Sequence, residues 1–282
     1  MSVIWRRYGG IEMNQDLKLM CVLAHPDDES LGLGFTLAKY AAEGVRICLV
    51  TATRGERGWG GRPEDNPGLE GLGRIREGEL RRAVQKLGVE ELVFLDYIDG
   101  DVDQADGYEA AGKIASEVRR FRPQVVVTFD PWGAYGHPDH IAVTQYTQAG
   151  MILAADDRFA DPAGNAMFRV SKFYYSGDTQ KFVKVVQEMV GGIEFDVDGI
   201  IRSHFGWPEW ALTTQIDGTA YWDQVMDAIA CHETQVTGLL PGLRKIPERY
   251  GPQAYSIQYF YRVHSFVNSG RVLERDLFEG LR

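Results

Sequence analysis

The stretch Leu19-Met-Cys-Val-Leu23, followed at once by Ala24-His-Pro-Asp-Asp-Glu29, decides how this chain is read. A short apolar run bounded by polar punctuation has the character of a buried parallel strand. Where that strand ends, one imidazole and three carboxylates crowd together. Carboxylates packed so tightly repel one another unless a cation or shared protons relieve them. Strand ends of an open α/β sheet are also where ligands bind. The cluster therefore points to a metal site.

Outward from this stretch the same rhythm repeats. Apolar runs at 18–24, 45–52, 91–95 and 124–129 read as strands, and 30–43, 73–87 and 109–121 between them read as helices. Within 73–87, Ile75, Leu80, Ala83, Val84 and Leu87 recur at helical spacing, and Gly88 is a natural stop. Alternating strand and helix predicts an α/β fold: a doubly wound, mostly parallel Rossmann-like sheet with right-handed crossovers, helices on both faces and a smaller irregular C-terminal part. A helix at 139–155, a strand at 170–176, a helix near 220–236, an alternating strand at 255–263 and an irregular tail complete the expectation. The corresponding organisation is an N-terminal extension over 1–17, in which Met13 offers a second start, a catalytic core over 18–176, and a region over 177–282 that completes the fold and the pocket wall. Two long loops, Gly-rich Arg54–Gly73 and Asp96–Tyr108, read as binding loops or as surface excursions.

A second constellation, Asp130-Pro-Trp-Gly-Ala-Tyr-Gly-His-Pro-Asp-His140, follows the strand-like Val125-Val-Val-Thr-Phe129. All strands of a parallel sheet point one way, so the segments after the first and the fourth strand open onto one edge and can converge. Catalytic zinc takes three N or O ligands and leaves a position for water, and His25, Asp28 and His140 supply such a set. The i,i+3 spacing of His137 and His140 leaves open whether one or both bind metal. Zinc is the expected ion, though Fe(II), Co(II) and Mn(II) suit the same donors. Asp139 reads either as an acceptor that orients a ligand imidazole or as a cap of the following helix. Glu29 reads as a cap or as support for the site. Arg54 and Glu56, at the end of the second strand, are candidates for contact with substrate hydroxyls. Trp59 and Trp132 could stack on a sugar ring or simply pack.

Composition narrows the partners. Of 282 residues, 44% are apolar and 25% charged, as in ordinary globular domains, and the formal charge is −10. That balance disfavours nucleic acid and anionic membranes, which need basic patches. Arg74–Arg82 and Arg119–Arg122 alternate with Glu and apolar residues, as solvated helix faces do. No run approaches the roughly 18 apolar residues of a membrane span, and the start lacks a signal-peptide core. A cytoplasmic protein with a small-molecule partner is expected, and a homo-oligomer is compatible with it. Cys21 and Cys48 lie in strand-like runs and read as core thiols, and nothing near Cys231 would activate it. His204, His232 and His264 read as structural, with His232 the foremost exception.

The paired AHPDDE and GHPDH motifs resemble the PIG-L/LmbE family of zinc-dependent N-acetylglucosaminyl deacetylases, which includes deacetylases and conjugate amidases of mycothiol and bacillithiol metabolism. Further similarities are Thr53-Arg-Gly-Glu56, Arg76-x-x-Glu79, the His-x-x-Gln element in Cys231-His-Glu-Thr-Gln-Val236, and the closing Glu274-Arg-Asp-Leu-Phe-Glu-Gly-Leu281, which is similar to the mycothiol branch. The resemblance covers 18–155 well and 222–281 weakly, and does not extend to 156–221. It implies His25, Asp28 and His140 as zinc ligands and Asp27 as general base. It further implies His137 and Tyr135 as groups that stabilise the oxyanion, His137 also as a candidate proton donor to the leaving amine, and Arg76 as a substrate contact.

The chemistry agrees with these roles. An amide is a poor electrophile and water a poor nucleophile, and zinc improves both, lowering the pKa of bound water to about 7. Asp27 beside Asp28 can reach that water without occupying the metal. Either His137 or protonated Asp27 can protonate the departing amine. The expected function is a metal-dependent hydrolase that deacylates an N-acetylglucosamine-type substrate. Amidase action on a mycothiol-like thiol conjugate or another N-acyl amine is the alternative, with the pocket wall, expected from 54–73 and 156–221, as discriminator. A non-catalytic sugar- or metal-binding protein is disfavoured because it would not need Asp27.

Overall fold

The computed structural model describes residues 16–191, 194–197 and 199–282. Most of the extension expected over 1–17, Met13 included, lies outside the described residues. The five runs that read as strands are β1 (Lys18–Leu23), β2 (Arg46–Thr51), β3 (Glu91–Phe94), β4 (Val125–Thr128) and β5 (Lys172–Ser176). All pair in parallel, with β1 between β2 and β4. Leu19 to Leu23 are each no more than 1% exposed, which is why this strand is apolar throughout rather than alternating.

The helices between them are α1 (Asp28–Ala42), α2 (Gly68–Leu87), α3 (Gly107–Phe121), a single turn α4 (Gly133–Gly136) and α5 (Pro138–Ala155). Gly88 ends α2 in the left-handed conformation (φ 78°), as expected. Asp106 caps α3 by accepting the N–H groups of Tyr108 and Glu109. The start of α2 is earlier than the expected 73, so part of the Gly-rich loop is helical. Burial of Leu72 and Gly73 against the body of the protein overrides the poor helix propensity of glycine there.

Beyond β5 the chain adds α6 (Gln180–Val190), a hairpin of β6 (Glu194–Val197) and β7 (Ile200–Ser203), and β8 (Thr214–Asp217). It then forms α7 (Trp222–Ile229), α8 (Glu233–Val236) and β9 (Ile257–Ser265). The single helix expected over 220–236 is therefore two, broken where His232 turns inward. The C-terminal region is less irregular than its sequence suggests: β9 pairs antiparallel with β5 and β8 antiparallel with β9, giving the order β3-β2-β1-β4-β5-β9-β8. The tail returns to this edge through a parallel bridge between Thr214 and Glu274.

This topology positions the site. From β1 the chain winds outward to β2 and β3, then crosses back to β4 on the other side of β1. The crevice at this switch point, outside the carboxyl ends of β1 and β4, is the expected ligand site of such a sheet. Both His/Asp motifs begin there. Among the described residues, no helix is long and apolar enough to cross a membrane.

Candidate metal centre

The loop between β1 and α1 is folded tightly around its own carboxylates. Asp28, the first residue of α1, accepts the N–H groups of Ala24 at 3.2 Å and His25 at 2.7 Å on Oδ2. Asp27, just before the helix, adopts φ 119°, which costs energy for a residue with a Cβ and must be held by its surroundings. Two groups hold it. Glu29 Oε2 accepts the Asp27 N–H at 3.0 Å. The buried Arg76 guanidinium donates to the Pro26 carbonyl at 2.5 Å, the Gly55 carbonyl at 2.9 Å and Asp27 Oδ2 at 3.2 Å. Gly55 (φ 70°) must lack a side chain, because a Cβ there would fall on that guanidinium.

The second motif arrives from β4 through α4, a strained turn in which Ala134 has φ 63° and ψ −66°. Asp130 ties the turn together by accepting the N–H groups of Trp132 at 3.1 Å and Ala134 at 2.9 Å. Gly133 (φ 66°) passes so close to His140 that a Cβ would sit 2.7 Å from the His140 Cβ. His137 precedes α5 and accepts the Asp139 N–H on Nδ1 at 3.2 Å, which places its ring proton on Nε2. His140 lies in the first turn, buried and stacked on Phe129 at 4.0 Å between ring centroids.

The two motifs converge. His25 Nδ1 and His140 Nε2 face each other at 3.2 Å. The Asp28 oxygens lie 3.8 Å from the first nitrogen and 3.5 Å from the second. Ligand-capable atoms of His25, His137 and His140 all fall within 4.8 Å of one another. Two buried imidazole nitrogens aimed at one another beside a carboxylate form the mixed N/O donor set that suits zinc and similar divalent ions. On its other side His25 Nε2 meets Asp139 Oδ2 and Asp99 Oδ1, each at 3.0 Å. Asp139 also accepts the N–H groups of Gly100 at 2.7 Å and Val102 at 3.2 Å, and Asp99 that of Arg57 at 3.2 Å. These satisfied carboxylates claim Nε2–H of His25 and leave Nδ1 toward His140. Of the two readings the sequence left open for Asp139, the structure bears out the acceptor that orients the His25 imidazole; the cap of α5 is His137, which accepts the Asp139 N–H.

Electrostatics follow from burial and crowding. Burial pushes Asp27 up, against the pull of Arg76 and His232. Burial raises Asp28 to about 7, against the pull of His25. Burial disfavours charge on His25, but Asp139, Asp99 and Asp28 outweigh it and hold its pKa well above the usual range. His137 is lowered to about 4 by burial and by the neighbouring His25. Burial and the carboxylates of Asp28 and Asp27 keep the Tyr135 phenol protonated. Its ring meets that of His140 edge-on at 5.1 Å.

A cavity of about 410 Å3 opens onto this cluster. Asp27, Asp28, Tyr135 and His140 form its reactive side, while Leu31, Phe182, Val186, Leu239, Leu243 and Tyr255 form an apolar recess. Residues from 176–205 contribute to the wall, as expected, but the loop over 54–73 contributes none; 235–255 take its place. Arg54 is not brought to the cluster: it pairs with Glu77 at 2.6 Å and Asp96 at 2.7 Å and covers the Phe94 ring. Glu56 accepts the Asp99 N–H at 3.1 Å and so braces the loop after β3. Trp59 bonds to the Arg62 carbonyl and lies outside the cavity, whereas Trp132 packs on Phe205 at its rim. Cys21 and Cys48 are buried, and burial raises both thiols, Cys48 to about 12; the Cys231 thiol is raised too.

Asp99 and His204 escaped sequence reasoning, and His232 was singled out only as the foremost exception among histidines read as structural. Asp99 lies in the long loop after β3, which was flagged, but no residue in it stood out. His232 reaches Glu29 from a weakly matched segment. His204 pairs with Asp178 on the cavity wall, in a stretch with no recognisable motif.

The switch-point crevice and its His/Asp donors define a protein of the α/β class with a candidate divalent-metal centre. Residues 20–151 match the PIG-L family, described as GlcNAc-PI de-N-acetylase. The chain is 34% identical over 311 residues to a 1D-myo-inositol 2-acetamido-2-deoxy-alpha-D-glucopyranoside deacetylase of Kineococcus radiotolerans, covering 95% of this chain and 84% of that protein. It is 35% identical to the protein of the same name from Thermobifida fusca, covering 88% and 93%. The N,N'-diacetylchitobiose deacetylase of Pyrococcus horikoshii shares the fold, with TM-score 0.66 at 21% identity over 87% of this chain and 83% of that one. This chain belongs to the PIG-L family.

Proposed function

We propose that the chain is a metal-dependent hydrolase that removes the acyl group from the 2-amino nitrogen of an N-acetylglucosamine-type substrate. The observation that carries this reading is the convergence of His25 Nδ1, His140 Nε2 and the Asp28 carboxylate beside Asp27. His25, Asp28 and His140 would hold the ion, zinc being the one their donor set suits best. With the ion bound, the site gains a Lewis acid that polarises the amide carbonyl and brings the pKa of water to about 7.

Asp27, held by Arg76 and Glu29, takes the proton of the attacking water and returns it to the departing amine. Nε2–H of His137 and the protonated Tyr135 phenol donate to the oxyanion that develops on the amide. Arg76, whose two terminal guanidinium nitrogens donate to Gly55, Pro26 and Asp27, acts by positioning the base. Family membership and the names of the relatives support an acetylated amino sugar as the small-molecule substrate, and a cytoplasmic location accords with such chemistry.

The apolar recess beside the cluster favours a second reading in which the acyl group is larger than acetyl, as in a thiol-conjugate amide. Metal analysis of purified protein with assays of acetate release from N-acetylglucosaminides tests the first reading; full turnover after complete metal removal overturns it. A panel of acyl chain lengths on one amino sugar separates the two.

A further inference from the structure

Away from the His/Asp cluster, one other pair of polar side chains converges on the cavity. His204, just after β7, places Nε2 3.0 Å from Asp178 Oδ2, just after β5. Both line the cavity shared by Asp27, Asp28, Tyr135 and His140. The two segments are fixed to each other: the Trp207 N–H donates to the Asp178 carbonyl at 2.7 Å, and the Gln180 N–H to the Trp207 carbonyl at 3.0 Å. Trp207 Nε1 donates to Asp130 Oδ2 at 2.6 Å, tying the pair to the carboxyl end of β4. The imidazole is only 9% exposed, while the Asp178 side chain is 41% exposed.

Two other polar side chains on this wall are already engaged. Asp130 accepts from Trp132, Ala134 and Trp207. Gln235 donates to the Gly58 carbonyl and to Thr234. Much of the remaining wall is the apolar recess. A substrate that sets its amide on the cluster finds a further polar anchor at His204 and Asp178. Burial works against charge on His204, but its bond with Asp178 outweighs burial and raises its pKa. With Nε2–H given to Asp178 Oδ2, the protonated imidazole keeps its Nδ1–H as a donor and the carboxylate its second oxygen as an acceptor, a set that can meet two adjacent hydroxyls.

We propose that His204 and Asp178 determine specificity by binding vicinal hydroxyls of the ring attached to the reacting N-acylated sugar, the imidazole donating to one hydroxyl and the carboxylate accepting from its neighbour. The inference rests on the deacylase reading above. A site that hydrogen-bonds a substrate hydroxyl discriminates against the analogue lacking it, and more strongly at the buried His204 imidazole than at the part-exposed Asp178.

The test compares kcat/KM on two substrates: an N-acetylglucosaminide of a cyclitol with vicinal hydroxyls, and the methyl glycoside that lacks the second ring. His204→Gln and Asp178→Asn should each lower the two-ring to one-ring ratio by about tenfold or more, chiefly through KM for the two-ring substrate. Asp178→Asn alters a part-exposed group and keeps the test open should His204→Gln fold poorly. An unchanged ratio in the folded variants, with wild type active on both substrates, overturns the inference and leaves the deacylase reading standing. Wild-type protein inactive on both substrates when metal-loaded overturns the two together.

Discussion

His232 Nε2 lies 2.7 Å from Glu29 Oε1, with both side chains buried, and this contact joins the break between α7 and α8 to the first turn of α1. The other Glu29 oxygen holds the N–H of Asp27 in its strained conformation. Burial opposes charge on Glu29, yet His232 and Ser30 hold its pKa below the ordinary range, so the carboxylate stays ionised. His232→Ala should strand that charge and destabilise the protein by about 3–5 kcal/mol, read from urea unfolding. Glu29→Gln should lower kcat with little change in KM, because it loosens the base without touching substrate. A substrate-contact role would instead move KM.

Asp27 and the ligand set should separate by metal content. Asp27→Asn keeps the size of the side chain and is expected to retain the ion while losing about 10²–10⁴ in kcat, the usual worth of a positioned base. His140→Ala removes a donor and should lower metal occupancy as well as turnover. Plasma emission spectrometry alongside an acetate-release assay reads both quantities. Equal loss of metal in the two variants would contradict the division of roles.

The division between what was legible in the sequence and what was not has a physical basis. The strands β1 to β5 were visible because buried parallel strands are continuous apolar runs, and the His/Asp motifs were visible because their residue types are costly to place together for any other reason. The hairpin of β6 and β7 was hidden: Ile200 and Ile201 are both exposed, so no alternation marks it. One partner of His25 was hidden differently, since Asp99 is one acid among 40 Asp and Glu residues and only the fold brings it within 3.0 Å. Arg54 misled because a residue at a strand end can point away from the crevice, as its pairing with Glu77 and Asp96 requires.

Arg76 offers a sharper test of positioning against substrate contact. Its guanidinium is about 3% exposed and donates to two backbone carbonyls and Asp27, which leaves little of it for a ligand. Arg76→Lys should lower kcat by about tenfold or more, since a single ammonium cannot reproduce the planar fork. KM should change by less. A dominant rise in KM at constant kcat would assign Arg76 to substrate.

The tail should contribute a pH dependence of stability of its own. Glu274 is 1% exposed and accepts from Lys172 at 2.7 Å, Arg262 at 2.8 Å, Asn268 at 2.6 Å, Thr214 at 2.6 Å and Tyr174 at 2.9 Å. Burial alone would raise its pKa, but these partners, Lys172 foremost, bring it from 4.5 to about 2. Burial also pushes Lys172 down, so the acid limb belongs to Glu274. An acid whose folded pKa lies below its unfolded value stabilises the fold above the unfolded pKa and loses that contribution as pH falls through the folded one. Stability from this group should be complete above pH 4.5 and disappear toward about pH 2, roughly 3 kcal/mol in all. Glu274→Gln should remove that part of the slope, so the wild-type and variant unfolding free energies should converge between pH 5 and about pH 2. Parallel curves across that range would show that the cluster carries no such linkage.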